Sequence, residues 1–383
     1  MPANPNSTRL LRALARQAAD VETSQIQQLA KRVDDWDSCV ALAREHRVAV
    51  LLHRRLAEFQ IAVPQAIHEE LRAEFQRNYL QSLANAAEII QLLKNLERES
   101  ILAMPFKGVV LAASVYGDLA ARAAGDLDVL IHFRDLSRAT AQLLKCGYEL
   151  QTPSNPDGSP AVPDYFEYHF ERPADGMVIE LRWRLELTQP RFRRDLGMDW
   201  VWPNRRSAKL AGADVPDMSP EILLLVLCMH GSKHMWSRLS WICDVAQLLS
   251  ARPHLDWSEA IRESRRHGLW RSLALGVILA ARVTGVLVPP DILRRFEADS
   301  SLSSLAAHFN ENLFDAPGSL PDSRIPYNIR VLDNSDRARL LLSSEYWQPN
   351  ERDKESFSLP RPLYPLYRVL RPIRIFFDRS PRP

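Results

Sequence analysis

The chain has 383 residues, 46% of them hydrophobic, which is enough to fill two or three cores. Its 49 basic and 47 acidic side chains leave a formal net charge of +2, too small to argue for a nucleic-acid partner, and no apolar run reaches membrane-spanning length. The N-terminus lacks a charged-then-apolar leader, and Cys39, Cys146, Cys228 and Cys243 show no metal-ligand spacing, so a reduced cytoplasmic protein is expected.

Residues 1–97 read as helical. Leu10 to Ala19 is amphipathic, and Trp36 to Arg47 continues with apolar residues at helical spacing. His46 and His53 fit core-edge or surface positions better than ligand positions. Pro64 opens a helix from Gln65 to Leu96, with Leu71, Phe75, Leu80, Leu83, Ile89, Leu92, Leu93 and Leu96 at the inward period. This region is expected to be a scaffold for the middle of the chain, with a lid or partner domain as the alternative.

The central stretch starts with a short apolar strand, Ile101 to Phe106, that stops at Lys107-Gly108. Val109 to Tyr116 suits a helix packed on a sheet. Gly117 and Gly125 bracket a loop carrying Arg122. Asp126-Leu-Asp-Val-Leu-Ile131 then reads as a second strand. Strand alternation puts Asp126 and Asp128 on one face and Leu127, Val129 and Ile131 on the other. Two carboxylates side by side repel unless a cation joins them, and such oxygen donors suit Mg²⁺, which takes one or two carboxylates plus substrate phosphates. A surface turn is the other reading of an Asp-x-Asp.

Asp135 to Cys146 is predicted to be a helix closed by Gly147. Tyr148 to Gln151 is an edge-strand candidate, and Thr152 to Pro163 a polar, Pro-rich loop. Tyr165 to Arg172 and Met177 to Leu185 form a hairpin around Pro173-Ala-Asp-Gly176. On its return strand Ile179, Leu181, Trp183 and Leu185 face one way, while Val178, Glu180, Arg182 and Arg184 face the other. Glu180 therefore sits mid-strand on the polar face, where it suits a cross-strand partner for Arg182 or another arginine.

Ser219-Pro220-Glu221 is a helix start with Ser as N-cap and Pro at the first position. The apolar run Ile222 to Met229 leads to His230-Gly-Ser-Lys-His234. His230 and His234 are four apart but lack the glutamate of a zinc-binding His-Glu-x-x-His. A further helix spans Leu239 to Ser250. Asp256 to Phe296 holds two or three more, broken at Pro289-Pro290. Gly318 to Arg324 is a loop. The tail from Glu351 is proline-rich, basic and aromatic. It suits a strap over the helical body, with an anionic membrane surface or RNA as the alternative.

The succession Lys107-Gly108, Tyr116, Arg122 and Asp126-Leu127-Asp128 resembles the polymerase-beta-like nucleotidyltransferases, and more closely their bacterial branch of uncharacterised nucleotidyltransferases. Two further segments carry the likeness. Glu180-Leu181-Arg182-Trp183 is similar to that family's acid-Leu-His-Trp, with Arg182 in place of His. The series His230, Lys233, His234 and Trp236, followed by Leu239, Trp241 and Asp244, is similar to another. Gly108-Val109 departs from the superfamily's usual Gly-Ser or Gly-Gly. The likeness runs from about His46 to Ser250, with an echo at Arg371-Pro372.

The resemblance implies an α+β fold, a small mixed β-sheet core with helices on one side and helical regions at both ends. The implied division is 1–97 helical, 98–205 nucleotidyltransferase core, 206–317 helical domain and 318–383 a basic tail packed on the body. It implies transfer of a nucleoside monophosphate from a nucleoside triphosphate, ATP being the first candidate, to an acceptor hydroxyl. Asp126, Asp128 and Glu180 would hold two Mg²⁺ ions, or Mn²⁺ in their place, with Glu180 alternatively the base that takes a proton from the acceptor hydroxyl. Lys107, Gly108, Arg122, Lys233 and His230 would meet the nucleotide. Arg122 has a loop ion pair, for instance with Asp118, as its other reading. Lys233 and His230 have helix capping as theirs. Trp236, Trp241 and Asp244 are expected to be structural. The acceptor stays open among small molecules, peptides, proteins and RNA. A non-catalytic nucleotide-sensing or protein-binding module and a phosphotransferase are the competing functions.

Overall fold

A computed structural model of the chain describes residues 4–16, 22–123, 125–152, 166–185, 196–315, 327, 330–333, 359–367 and 370. Helices α1 (Pro5–Leu14), α2 (Thr23–Ala30), α3 (Trp36–Glu45), α4 (Ala49–Glu58) and α5 (Gln65–Arg98) precede β1 (Ala103–Phe106). The short α6 (Gly108–Leu111) runs into a π-helical turn, Ala112–Tyr116. Then come β2 (Leu127–Ile131), α7 (Leu136–Lys145), β3 (Glu149–Leu150), β4 (Glu167–Arg172), β5 (Met177–Arg182) and α8 (Met198–Val201). A hairpin, β6 (Arg206–Leu210) and β7 (Ala213–Asp217), leads to α9 (Pro220–Lys233), α10 (Leu239–Ala251), α11 (Trp257–Arg266), α12 (Trp270–Thr284), α13 (Pro290–Glu297) and α14 (Ser300–Asn312).

The main sheet has the order β1-β2-β5-β4-β3. Only the β2–β5 pairing is parallel; β1–β2, β5–β4 and β4–β3 are antiparallel, so the sheet is mixed. Strand parity holds as expected. Leu127, Val129 and Ile131 of β2 pack with Tyr168, Phe170, Ile179 and Leu181 under α5 and α7. Each such large apolar side chain contributes roughly 1.5–3 kcal/mol by leaving water. The opposite parity splits. Met104, Phe106 and Leu130 enter the core built by α1–α4 and α9–α14, while Asp128 stands at the edge of that contact.

Three expectations needed correction. The long helix forms, but Leu80 is 65% exposed and Leu83 37%. The inward face of α5 is polar here: Ser82 and Asn85 are buried, Asn78 donates to the Arg122 carbonyl, and Asn85 donates to the Gly125 carbonyl. The return strand stops at Arg182 rather than Leu185. The β6–β7 hairpin was not anticipated. His46 is buried and accepts the Leu239 N–H, while His53 packs on Phe75. Ser219 caps α9, as expected. The loop expected from Thr152 to Pro163, beyond its first residue, the loop 318–324, Arg371-Pro372 and most of the tail lie outside the described residues. Among the described residues no helix is long and apolar enough to cross a membrane.

Candidate active site

β2 and β5 are neighbours in register, so Asp128 stands directly beside Glu180. Adjacent strands are about 4.8 Å apart, which brings two carboxylates close on one face. The β4–β5 register sets His169 beside Glu180 and Glu167 beside Arg182. All five side chains share the sheet face opposite the α5–α7 core. Arg182 binds three acids at once. Its Nε donates to Asp128 Oδ1 at 3.0 Å, and its two terminal nitrogens bond Glu180 and Glu167. Lys107 Nζ lies 3.8 Å from Asp128 Oδ1. His169 Nε2 is 3.2 Å from Glu167 Oε1 and 3.9 Å from Glu180 Oε1.

The electrostatics follow from burial and this crowding. Burial raises the Glu180 carboxyl above its ordinary range, and the charge of Asp128 pushes it the same way, against the pull of Arg182. Burial also pushes Glu167 up. The bond from His169 and the charges of Arg182 and Lys233 outweigh it and hold that carboxyl at about 2. The Glu167 bond raises His169. Burial lowers Lys107, which Asp128 opposes.

Lys107 and Gly108 form the turn between β1 and α6, with φ of 56° and 43°. A Cβ on Gly108 would sit 3.4 Å from the Asp126 carbonyl, so this turn lies tight against the start of β2. Asp126 is one residue outside β2 and exposed. With Asn78 and Asn85, α5 fixes the loop that delivers it.

Arg122 does not pair with Asp118, which binds Arg54 at 3.0 Å. Its partner is Asp244 of α10: Nε donates to Oδ1 at 3.0 Å and the terminal nitrogen to Oδ2 at 3.1 Å. Tyr116 donates to the same carboxylate at 2.7 Å. The three residues tie the π-helical turn and its loop to α10, beside a cavity of about 210 Å³. Asp244 is thereby bonded to both Arg122 and Tyr116. The charge of Arg122 still reaches Lys107.

The C-terminal end of α9 comes close to the same group of side chains. Lys233 is near enough for its charge to act on Glu167, and His230 feels Lys107, His234, Arg122 and Arg182. Burial, reinforced by these cations, lowers His230 well below its ordinary value and keeps it neutral. Gly231 weakens a helix in isolation. Here any side chain would collide with the ring of the buried Trp236, which folds back on it.

Glu167 and His169 were missed in the sequence. The signal was present: the turn at 173–176 fixes which residues face Glu180 and Arg182, and parity puts both on the polar face. Among the described residues no three His, Cys, Asp or Glu side chains gather as for a metal ion. Asp126 and Asp128 nevertheless offer the hard oxygen donors that suit Mg²⁺ bound jointly with phosphate. Glu180 as a further ligand would require Arg182 to release it.

The pattern of the uncharacterised nucleotidyltransferase family matches residues 32–285. A comparison with curated proteins gives no match. Among solved structures, the chain is similar to an antigenic nucleotidyltransferase-like protein from Paracoccidioides brasiliensis, with 17% identity, a TM-score of 0.33, and coverage of 58% of this chain and 92% of that one. It is also similar to the antibiotic-resistance factor ANT(2'')-Ia, with 12% identity, a TM-score of 0.28, and coverage of 60% and 98%. Likenesses this loose carry no argument about activity.

Proposed function

The chain belongs to the uncharacterised nucleotidyltransferase family, and on that premise we propose that it moves a nucleoside monophosphate from a nucleoside triphosphate to a hydroxyl of an acceptor. The acceptor oxygen bonds the α-phosphorus as the bond to pyrophosphate breaks. The observation that carries this reading is the register pairing of Asp128 with Glu180, with Asp126 at the strand entry beside the Lys107-Gly108 turn.

Such transfers depend on positioning and charge neutralisation rather than covalent help. Asp126 and Asp128 would hold Mg²⁺, two ions in the reading from sequence, with Glu180 as a third ligand. Bound there, the metal neutralises phosphate charge and lowers the pKa of the acceptor hydroxyl. Lys107 and Lys233 supply positive charge for the phosphates, and the Gly108 backbone allows close approach. Arg122 adds its charge while Asp244 fixes its orientation. His230, held neutral, can donate or accept a hydrogen bond at the cleft. Glu180 is the alternative base for the acceptor's proton, because its raised pKa favours proton uptake. ATP is the triphosphate to test first. The acceptor is a small molecule, a peptide, a protein or RNA.

The test is incubation with α-labelled triphosphates, Mg²⁺ and fractionated cell extract. Label transferred to one fraction, with matching pyrophosphate release, is the expected result. Arg182 supports a second reading, a non-catalytic nucleotide sensor, because it already occupies the space between the acids. That reading predicts nucleotide binding without pyrophosphate release from any fraction. Loss of the γ-phosphate alone, with label on the acceptor only from γ-labelled triphosphate, would identify a phosphotransferase.

A further inference from the structure

On the sheet face three carboxylates converge on one arginine, with Lys107 3.8 Å from Asp128 and His169 3.2 Å from Glu167 as further neighbours. Asp128, Glu180 and Glu167 present three carboxylates, and one guanidinium serves all of them through three different nitrogens. This is set by backbone register. Arg182 lies two residues beyond Glu180 on β5, hence on the same face, with Glu167 directly across on β4 and Asp128 one strand away on β2. The four side chains are only 12–21% exposed. A guanidinium keeps its proton under all ordinary conditions, and its planar fork of five donors suits several carboxylates together. Buried acids side by side need a cation between them or a proton on one of them. An arginine and a metal ion cannot both fill that place.

We propose that the Arg182 guanidinium holds the cation position between Asp128 and Glu180, so that only one divalent ion, shared by Asp126, Asp128 and the triphosphate, binds this site. The proposal rests on the nucleotidyl-transfer reading for the identity of the triphosphate, and it replaces the two-ion arrangement read from sequence. Arg182 here is a charge-compensating residue that positions the acids. Asp126 is exposed at the entry to β2, beside the Lys107-Gly108 turn, and is the acid open to an ion arriving with phosphate.

The test counts Mn²⁺ bound to the full chain by equilibrium dialysis, with the ion alone and with a non-hydrolysable ATP analogue. Wild type and Arg182→Lys are expected to bind at most one ion per chain, and one with the analogue present. Arg182→Gln is expected to bind one more than wild type, and its melting temperature should rise with Mn²⁺ by several degrees more than that of wild type. A structural role alone would not change the ion count. Two ions on the wild type, or equal counts for wild type and Arg182→Gln, would overturn the proposal. Should Arg182→Gln fold only in the presence of Mn²⁺, the metal has replaced the guanidinium and the proposal stands; if it fails to fold with or without Mn²⁺, a count other than one on wild type or Arg182→Lys with the analogue present overturns the proposal, and a count of one on both upholds it. Failure of the analogue to bind any variant would refute the nucleotidyl-transfer reading, while the count with Mn²⁺ alone still decides the role of Arg182.

Discussion

Arg122 and Arg182 are both largely buried and both bind an aspartate, yet their surroundings differ in stoichiometry. Arg122 faces one carboxylate, Asp244, whose remaining capacity is met by the Tyr116 hydroxyl. Charge and hydrogen bonds balance, and the cluster ties the loop before β2 to α10. Arg182 faces three carboxylates, two of which have further partners, Lys107 at 3.8 Å from Asp128 and His169 at 3.2 Å from Glu167. A balanced buried pair is costly to break by removing one partner.

The largest effect should come from unbalancing the first cluster. Asp244→Ala leaves Arg122 buried without its partner and should cost about 3–5 kcal/mol of stability. Chemical denaturation measures this, and a loss below about 1 kcal/mol would remove the distinction between the two arginines.

Asp128→Asn should do the opposite. It relieves repulsion at Glu180, so the fold should persist, while transfer should fall about a hundredfold or more, as when a transition-state contact is lost. Glu180→Gln should lower the rate with little change in triphosphate affinity if Glu180 takes the acceptor's proton. Single-turnover rates beside melting curves separate chemistry from stability. A folded Asp128→Asn chain with full activity would end the account of the site.

These residues differ in how legible they were. Asp126, Asp128 and Glu180 could be placed on polar faces because strand parity is a local rule. That β2 and β5 would be neighbours could not be read locally, since α7, β3 and β4 intervene. Glu167 and His169 were within reach, because the turn at 173–176 determines their partners across the hairpin. Asp244 as the partner of Arg122 was not, because nothing short-range connects residues so far apart in sequence. Leu80 and Leu83 misled for a related reason. Periodicity identifies a helical stripe, but the buried stripe of α5 is used at that level by Ser82 and Asn85. The β6–β7 hairpin went unseen because Arg206-Ser-Ala-Lys-Leu210 is short and polar.

A smaller effect tests the cleft's rim. If Lys233 meets the triphosphate, Lys233→Ala should weaken binding by about 1.5–3 kcal/mol. If it only caps α9, affinity should hold and stability should fall by about 0.3–1 kcal/mol. Titration calorimetry with a melting curve decides between them.

A further effect lies in the pH profile of stability. Glu167 is held at about 2, below the ordinary glutamate value of 4.5. Its contribution is therefore present above about 4.5 and lost as pH falls toward 2. His169 is raised from 6.5, so its contribution is present below that value and lost as pH rises through the raised one. Glu180 is also raised, and for a carboxyl this means its ionisation disfavours the fold as pH rises past 4.5. Denaturation of Glu167→Gln at several pH values should show a flatter acid limb than wild type. Equal limbs would mean that Glu167 gains nothing from Arg182 and His169.

The most direct measurement of the central claim is equilibrium binding of ATP with Mg²⁺ to wild type and to the folded double variant Asp126→Asn/Asp128→Asn. The account predicts saturable, Mg²⁺-dependent binding to wild type that weakens at least tenfold in the variant. Equal affinity in both, or wild-type binding indifferent to Mg²⁺, would contradict it.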